Sequence, residues 1–209
     1  MKESGAKAVA STYGILVGLA GIEHGIFEIL QGDVPTGGIM IDAIGDAQRF
    51  WEGGMETALT IVPNFLWTGI LAVLVGILVT VWAYAFVDRK YGASVLLLLT
   101  VTLFLVGGGF APIFLSLLAF GAATRIGKPL NWWRERMPGR SSLAKLWPSL
   151  LILFVVVFWT AVGIQIFGLP IDATITMNIM VVFSLAMVIL MPIAVIVAIS
   201  YDAQKLSEV

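Results

Sequence analysis

The stretch VASTYGILVGLAGIEHGIFEILQ, residues 9–31, is long and apolar enough to cross a membrane, yet it contains polar, ionisable groups. A hydrocarbon core about 30 Å thick is crossed by about 20 apolar residues in a helix that rises about 1.5 Å per residue. Glu23, His24 and Glu28 lie inside this run, and His24 is the only histidine of the chain. Such groups cost about 2.5–3.5 kcal/mol each at the centre of an inserted helix, so they indicate a partner or a functional site.

The composition of the whole chain agrees with this interpretation. The 209 residues are 59% hydrophobic and 12% charged, with a mean hydropathy of +1.00. A water-soluble domain of this size could not bury so much apolar surface. We therefore predict an all-α membrane protein with one transmembrane domain, and we interpret the first run as a retained helix rather than a cleaved signal peptide.

Six apolar runs predict a bundle of six transmembrane helices. Residues 92–124 are too long for one ordinary span, and GGGFAP at 107–112 interrupts them with three glycines and a proline, which break helices. We expect two short helices joined at this Gly-Gly-Gly turn; the alternative is one long kinked helix. The predicted spans are about 9–31, 62–87, 92–108, 110–124, 146–168 and 175–200.

Charge asymmetry favours six spans with the N-terminus and C-terminus in the cytoplasm. In this arrangement Arg49 is the one cation outside, among the 12 Lys and Arg residues of the chain. With five spans, the basic loop 125–145 would lie opposite Arg89 and Lys90, against the positive-inside rule. Most acidic residues then lie outside or in the outer half of the membrane. We predict a multi-pass protein of the cell (cytoplasmic) membrane.

The loop 125–145 holds six cations and two tryptophans, and Trp147 follows shortly after it. This composition is typical of a segment that binds membrane lipids through anionic headgroups, so we expect no nucleic acid partner. The chain has no cysteine, which excludes disulfides, thiolate metal sites and cysteine nucleophiles. A single histidine excludes bis-histidine haem.

On a helical wheel, residues 9–31 present two adjacent stripes. One stripe is glycine-rich and predicts close contact with another helix; it consists of Gly14, Gly18, Gly21 and Gly25. The polar stripe beside it holds His24 and Glu28, which are one turn apart and able to meet. We interpret them as a structural pair, a proton relay or half of a metal site. Glu23 falls off this stripe, so we expect it to act differently.

The outer loop 32–61 is too apolar to be a free loop, and we predict an interfacial or re-entrant element, with a short helix as one form. Glu56 stands out because it lies close to the membrane and precedes an apolar run. We place the polar groups of the outer half in one ligand or proton pocket. Its predicted members are Tyr13, His24, Glu28, Gln31, Glu56 and Asn64.

Three phrases carry a resemblance to known sequences: GIEHGIFEILQG at 21–32, METALTIVPNFLWTGILAVLVG at 55–76 and LVGGGFAPIFLSLLAFGAATRIGKPLNWWR at 105–134. Together they resemble an uncharacterised family of small prokaryotic polytopic membrane proteins. The resemblance covers about the first two-thirds of the chain and implies no activity.

Three functions stay open at this point. The first is a small transporter or carrier component with an outward-facing polar pocket. The second is a lipid- or hydrophobe-binding membrane sensor or scaffold. The third is a membrane-embedded metalloenzyme with the metal held by His24, Glu28 and Glu56, which fails if Glu56 lies far from His24. We predict no cofactor and no catalytic residue, and a homo-oligomer is compatible with the glycine stripe.

Overall fold

The structure is a computed structural model that describes residues 4–207. Within this range the chain is mostly helical, with one small sheet at one end. The elements are α1 (Gly5–Gln31), β1 (Met40–Ile44), β2 (Glu56–Leu59), α2 (Phe65–Ala85), α3 (Gly92–Leu105), α4 (Ala111–Ala123), α5 (Asn131–Arg136), α6 (Arg140–Ala144), α7 (Ser149–Phe167) and α8 (Ala173–Lys205).

Four helices of the described chain are long and apolar enough to cross a membrane: α1, α2, α7 and α8. Helices α3 and α4 are also apolar but have only 14 and 13 residues. Large aliphatic side chains remain exposed along α7 and α8, as expected for helices that face lipid rather than water. The chain is therefore a helical membrane protein, and each of the six predicted apolar runs contains a helix.

Helix α1 lies at the centre of the bundle and packs most extensively against α2, with further contacts to α4 and α8. All four glycines of its predicted stripe are buried. The packing with α2 is reciprocal: a Cβ on Gly25 would lie 2.6 Å from the Gly69 carbonyl oxygen, and one on Gly76 would lie 2.7 Å from the Gly18 carbonyl oxygen. The prediction that this stripe is a helix contact is confirmed.

Helix α3 ends at Leu105 and α4 begins at Ala111, with a short non-helical segment between them. Gly107 and Gly109 have φ angles of 100° and 81°, a backbone region that only glycine enters without strain. Pro112 follows in the first turn of α4, where its missing N–H is not needed for a helical hydrogen bond. We call this non-helical segment, residues 106–110, the glycine turn.

The predicted outer loop, residues 32–61, which we call the outer segment, contains an antiparallel hairpin. It contains no helix, in contrast to the short helix that we expected as one form of this loop. Ile41 and Ala43 alternate with exposed residues along β1, and both pack with Ala58 of β2. An alternating pattern of this kind stabilises a strand with one buried face. Part of this segment therefore forms a small sheet where we expected a short helix as one form.

The hairpin connection is docked on the end of α7. The Trp51 indole N–H donates to the Gln165 carbonyl oxygen at 2.8 Å, and the Gln165 amide donates to the Met55 carbonyl oxygen at 3.1 Å. The rings of Phe50 and Phe167 lie 5.4 Å apart. After β2, the chain pairs with the glycine turn through Thr60. These contacts fix the position of β2, which carries Glu56.

At the opposite end of the bundle, two carboxylates bind the first turn of α1. Asp202 of α8 accepts hydrogen bonds from the backbone N–H groups of Gly5 and Ala6 at 2.7 and 2.9 Å, so it caps α1 and matches the positive end of its dipole. Lys7 donates to Asp88 at 2.6 Å, and this hydrogen bond lowers the pKa of Asp88. The pair therefore stabilises the fold above the unfolded-state pKa of Asp88, and its contribution is lost as the pH falls through the lowered value.

The close approach of α1 and α2 predicts a matched pair of glycine substitutions. Gly25→Ala should destabilise the protein by about 1–3 kcal/mol, because its new Cβ would press on the backbone of α2. Gly163→Ala in α7, where a Cβ would meet nothing within 4 Å, should be neutral or stabilising by up to about 1 kcal/mol. Unfolding of the detergent-solubilised variants measures both. Equal effects would contradict the assigned α1–α2 contact.

Candidate functional site

The site begins with a cluster of two carboxylates and one imidazole. Nε2 of His24 lies 2.5 Å from Oε2 of Glu56 and 3.9 Å from Oε2 of Glu23. Glu23 and His24 are neighbours on α1, whereas Glu56 is the first residue of β2. The hairpin therefore brings a carboxylate to α1 from a position 32 residues further along the chain. We call Glu23, His24 and Glu56 the acidic cluster.

The glycine turn between α3 and α4 covers both buried ionisable groups of α1. A Cβ on Gly109 would lie 2.6 Å from Cε1 of His24, and a Cβ on Gly107 would overlap the carboxylate of Glu28. His24 is 3% exposed and Glu28 is fully buried. A larger residue at Gly107 or Gly109 would displace one of these side chains, so the turn is part of the wall that holds the imidazole in place.

Glu28 does not form the pair with His24 that the one-turn spacing suggested. No ion pair between them is present in residues 4–207, where His24 bonds to Glu56 instead. Neither carboxylate oxygen of Glu28 has a hydrogen-bond partner there. The Thr68 hydroxyl lies beside Glu28, but it donates its proton to the Val106 carbonyl oxygen. Glu28 and His24 do not pair because the glycine turn encloses Glu28, while the imidazole points toward Glu56 of the hairpin.

Three other residues of the predicted pocket bond elsewhere. Tyr13 is fully buried and donates to the Met191 carbonyl oxygen at 2.8 Å. Gln31 donates to two carbonyl oxygens of β1, at 2.9 Å each. Asn64 caps α2 and donates to Asp33 at 2.8 Å. These side chains join elements of the fold, so among the six predicted members only His24 and Glu56 form an ion pair in the described residues.

The acidic cluster lies at the wall of a large cavity with a volume of about 790 Å³. Helices α1, α4, α7 and α8 line it, mainly with Leu, Ile, Val, Phe and Met side chains. Some lining residues, among them Phe114 and Val188, are exposed at the outer surface of the bundle, so the cavity is open there. It is an apolar space with carboxylates and an imidazole in one part of its wall.

Glu23 is the site residue that sequence reasoning did not include in the pocket. On the helical wheel, Glu23 lies away from the polar stripe of α1, and in the structure it does point in a different direction from that stripe. The stripe, however, was expected to be the functional face, and Glu23 instead faces the cavity beside α1. Its position next to His24 in sequence was the available signal, because a hairpin residue that contacts one of them can also approach the other.

Comparisons with known proteins identify no relative: no family model matches the chain, and no curated protein or solved structure matches it. The resemblance to uncharacterised prokaryotic membrane proteins therefore stays a prediction.

Proposed function

We propose that the protein is a membrane carrier component that binds one amphiphilic, lipid-like molecule. The observation that carries this proposal is the cavity, because it joins a large apolar volume to the acidic cluster. Ligand sites of about 300–1,000 Å³ accommodate small organic molecules. An amphiphile combines an apolar tail with a polar head, as the walls of this cavity combine apolar side chains with one polar patch.

The tail would occupy the space between α1 and the pair α7–α8. Met180, Met187 and Met191 line it together with Phe154 and Phe158. Methionine side chains are flexible and polarisable, so they adapt to chains of different shape. The opening at the lipid-facing surface would let a tail enter from the bilayer without crossing water.

The head would meet the acidic cluster. Carboxylate oxygens accept hydrogen bonds, and one buried oxygen of Glu23 has no partner among the described residues. A hydroxyl or ammonium head would supply the missing donor. The Gln165 amide is less available, since it already donates to carbonyl oxygens of Gly53 and Met55.

We further propose the membrane arrangement in which α1, α2, α3, α4, α7 and α8 all cross the cytoplasmic membrane of a prokaryotic cell, with both termini inside. The distribution of Lys and Arg supports it. Helix α3 would cross outward and α4 would cross back, so that the glycine turn beside His24 lies at the outer side of the membrane, next to the hairpin. The loop 125–145, with α5 and α6, would then contact anionic headgroups.

Filling the cavity should prevent amphiphile binding. Val162 lines the cavity from α7, whereas Val156 on the same helix is 56% exposed and does not line it. Val162→Phe should reduce photolabelling by a diazirine-bearing hexadecanol in phosphatidylcholine nanodiscs about tenfold, which corresponds to about 1.4 kcal/mol. Val156→Phe should label like the wild type. Equal labelling of the two variants would contradict the proposed site.

The arrangement in the membrane can be tested with single cysteines, because the chain contains none. Ala47→Cys in the hairpin connection and Ser141→Cys in α6 both place the thiol at an exposed position. A membrane-impermeant maleimide should label Ala47→Cys in intact cells and Ser141→Cys only after permeabilisation. Labelling of both from the same side would contradict three crossings between these positions.

A further inference from the structure

The acidic cluster has the composition of a metal site. One imidazole nitrogen and one oxygen from each carboxylate all lie within 4.8 Å of one another. Ligands of a bound divalent ion sit about 2.0–2.2 Å from the metal, so these atoms need to move only slightly to surround one. Imidazole is a common ligand of Zn²⁺ and related transition-metal ions, and carboxylate oxygens complete such sites.

No Lys or Arg pairs with the cluster in the described part of the chain. In the described part of the chain, the ion pairs of Glu23 and Glu56 involve only His24. Arg49, the one Lys or Arg in the outer segment, pairs with Asp46 at 3.0 Å. Two carboxylates this close in an apolar setting are costly unless a positive charge lies between them. Within the cluster only a protonated His24 could supply that charge, whereas a divalent ion would supply it and leave the neutral imidazole as a ligand.

The supporting structure suits a metal ligand. His24 is 3% exposed and its ring is held against Gly109, so its nitrogen is oriented before any ion binds. Oε1 of Glu23 is buried without a hydrogen-bond partner, which leaves a carboxylate oxygen ready to coordinate. The adjoining cavity leaves room for a further ligand. Three protein ligands with an open position are typical of a site that exchanges its fourth ligand.

We propose that Glu23, His24 and Glu56 bind one divalent transition-metal ion, with Zn²⁺ as the best match to this donor set. The ion replaces the hydrogen bond between His24 and Glu56. It joins α1 to β2, and its open position faces the cavity. This inference does not rest on the proposed amphiphile binding, because the three ligands are assembled without any occupant of the apolar space.

The test is calorimetric titration of the full chain in detergent with Zn²⁺ alone, after removal of metal by EDTA. The wild type should bind one equivalent saturably. Glu56→Gln should weaken binding at least about tenfold, which corresponds to about 1.4 kcal/mol. Glu52→Gln, an exposed carboxylate of the same outer segment, should bind like the wild type. No saturable binding to the wild type would overturn the proposal, as would equal binding to the two variants.

A second measurement uses only the wild-type protein, so it does not depend on whether a variant folds. His24 is the only histidine, so paramagnetic Co²⁺ bound at this site should shift or broaden the imidazole signals of ¹⁵N-histidine-labelled wild-type protein. Addition of EDTA should restore them. Unaffected imidazole signals at saturating Co²⁺ would show that the ion binds elsewhere and would overturn the assignment. Because no amphiphile is added, the outcome is separate from the photolabelling result.

Discussion

At the end of the bundle that carries the hairpin, the structure depends on the contact between the His24 imidazole and the Glu56 carboxylate. An ionisable group inside a hydrocarbon-length helix needs a partner, and here the partner comes from a strand outside the helices. This contact brings β2 down onto α1, next to the glycine turn that covers His24. The hairpin, the glycine turn and the cavity wall therefore all contact the His24 imidazole. The proposed amphiphile site and the proposed metal site both include this imidazole.

Much of the fold could be predicted from the sequence, because helices in a membrane leave a strong signal in hydropathy. All six predicted apolar runs contain helices, and α1 ends at Gln31 as expected. The glycine stripe correctly indicated the buried face of α1, since only small residues allow the approach that Gly25 makes to Gly69. Four of the six helices have the length of a span, and the crossing of α3 and α4 stays a proposal.

The hairpin and the detailed site could not be predicted in the same way. Ile41 and Ala43 alternate over too few residues to separate a strand from an interfacial helix by pattern alone. The i, i+4 spacing of His24 and Glu28 showed that they share a face, but local spacing cannot reveal a long-range partner such as Glu56. Glu23 joined the site for the same reason: its neighbours in space are set by how the hairpin docks on α7, and not by its place on the helical wheel.

The contact between His24 and Glu56 can be tested by the ¹⁵N spectrum of the single histidine in the metal-free protein. Glu56→Gln removes the carboxylate that lies against Nε2 of His24, so we expect the Nε2 resonance to move. Glu52→Gln, whose side chain is exposed on the same outer segment, should leave the spectrum of the wild type unchanged. An unchanged Nε2 resonance in Glu56→Gln would contradict the contact that joins the hairpin to α1.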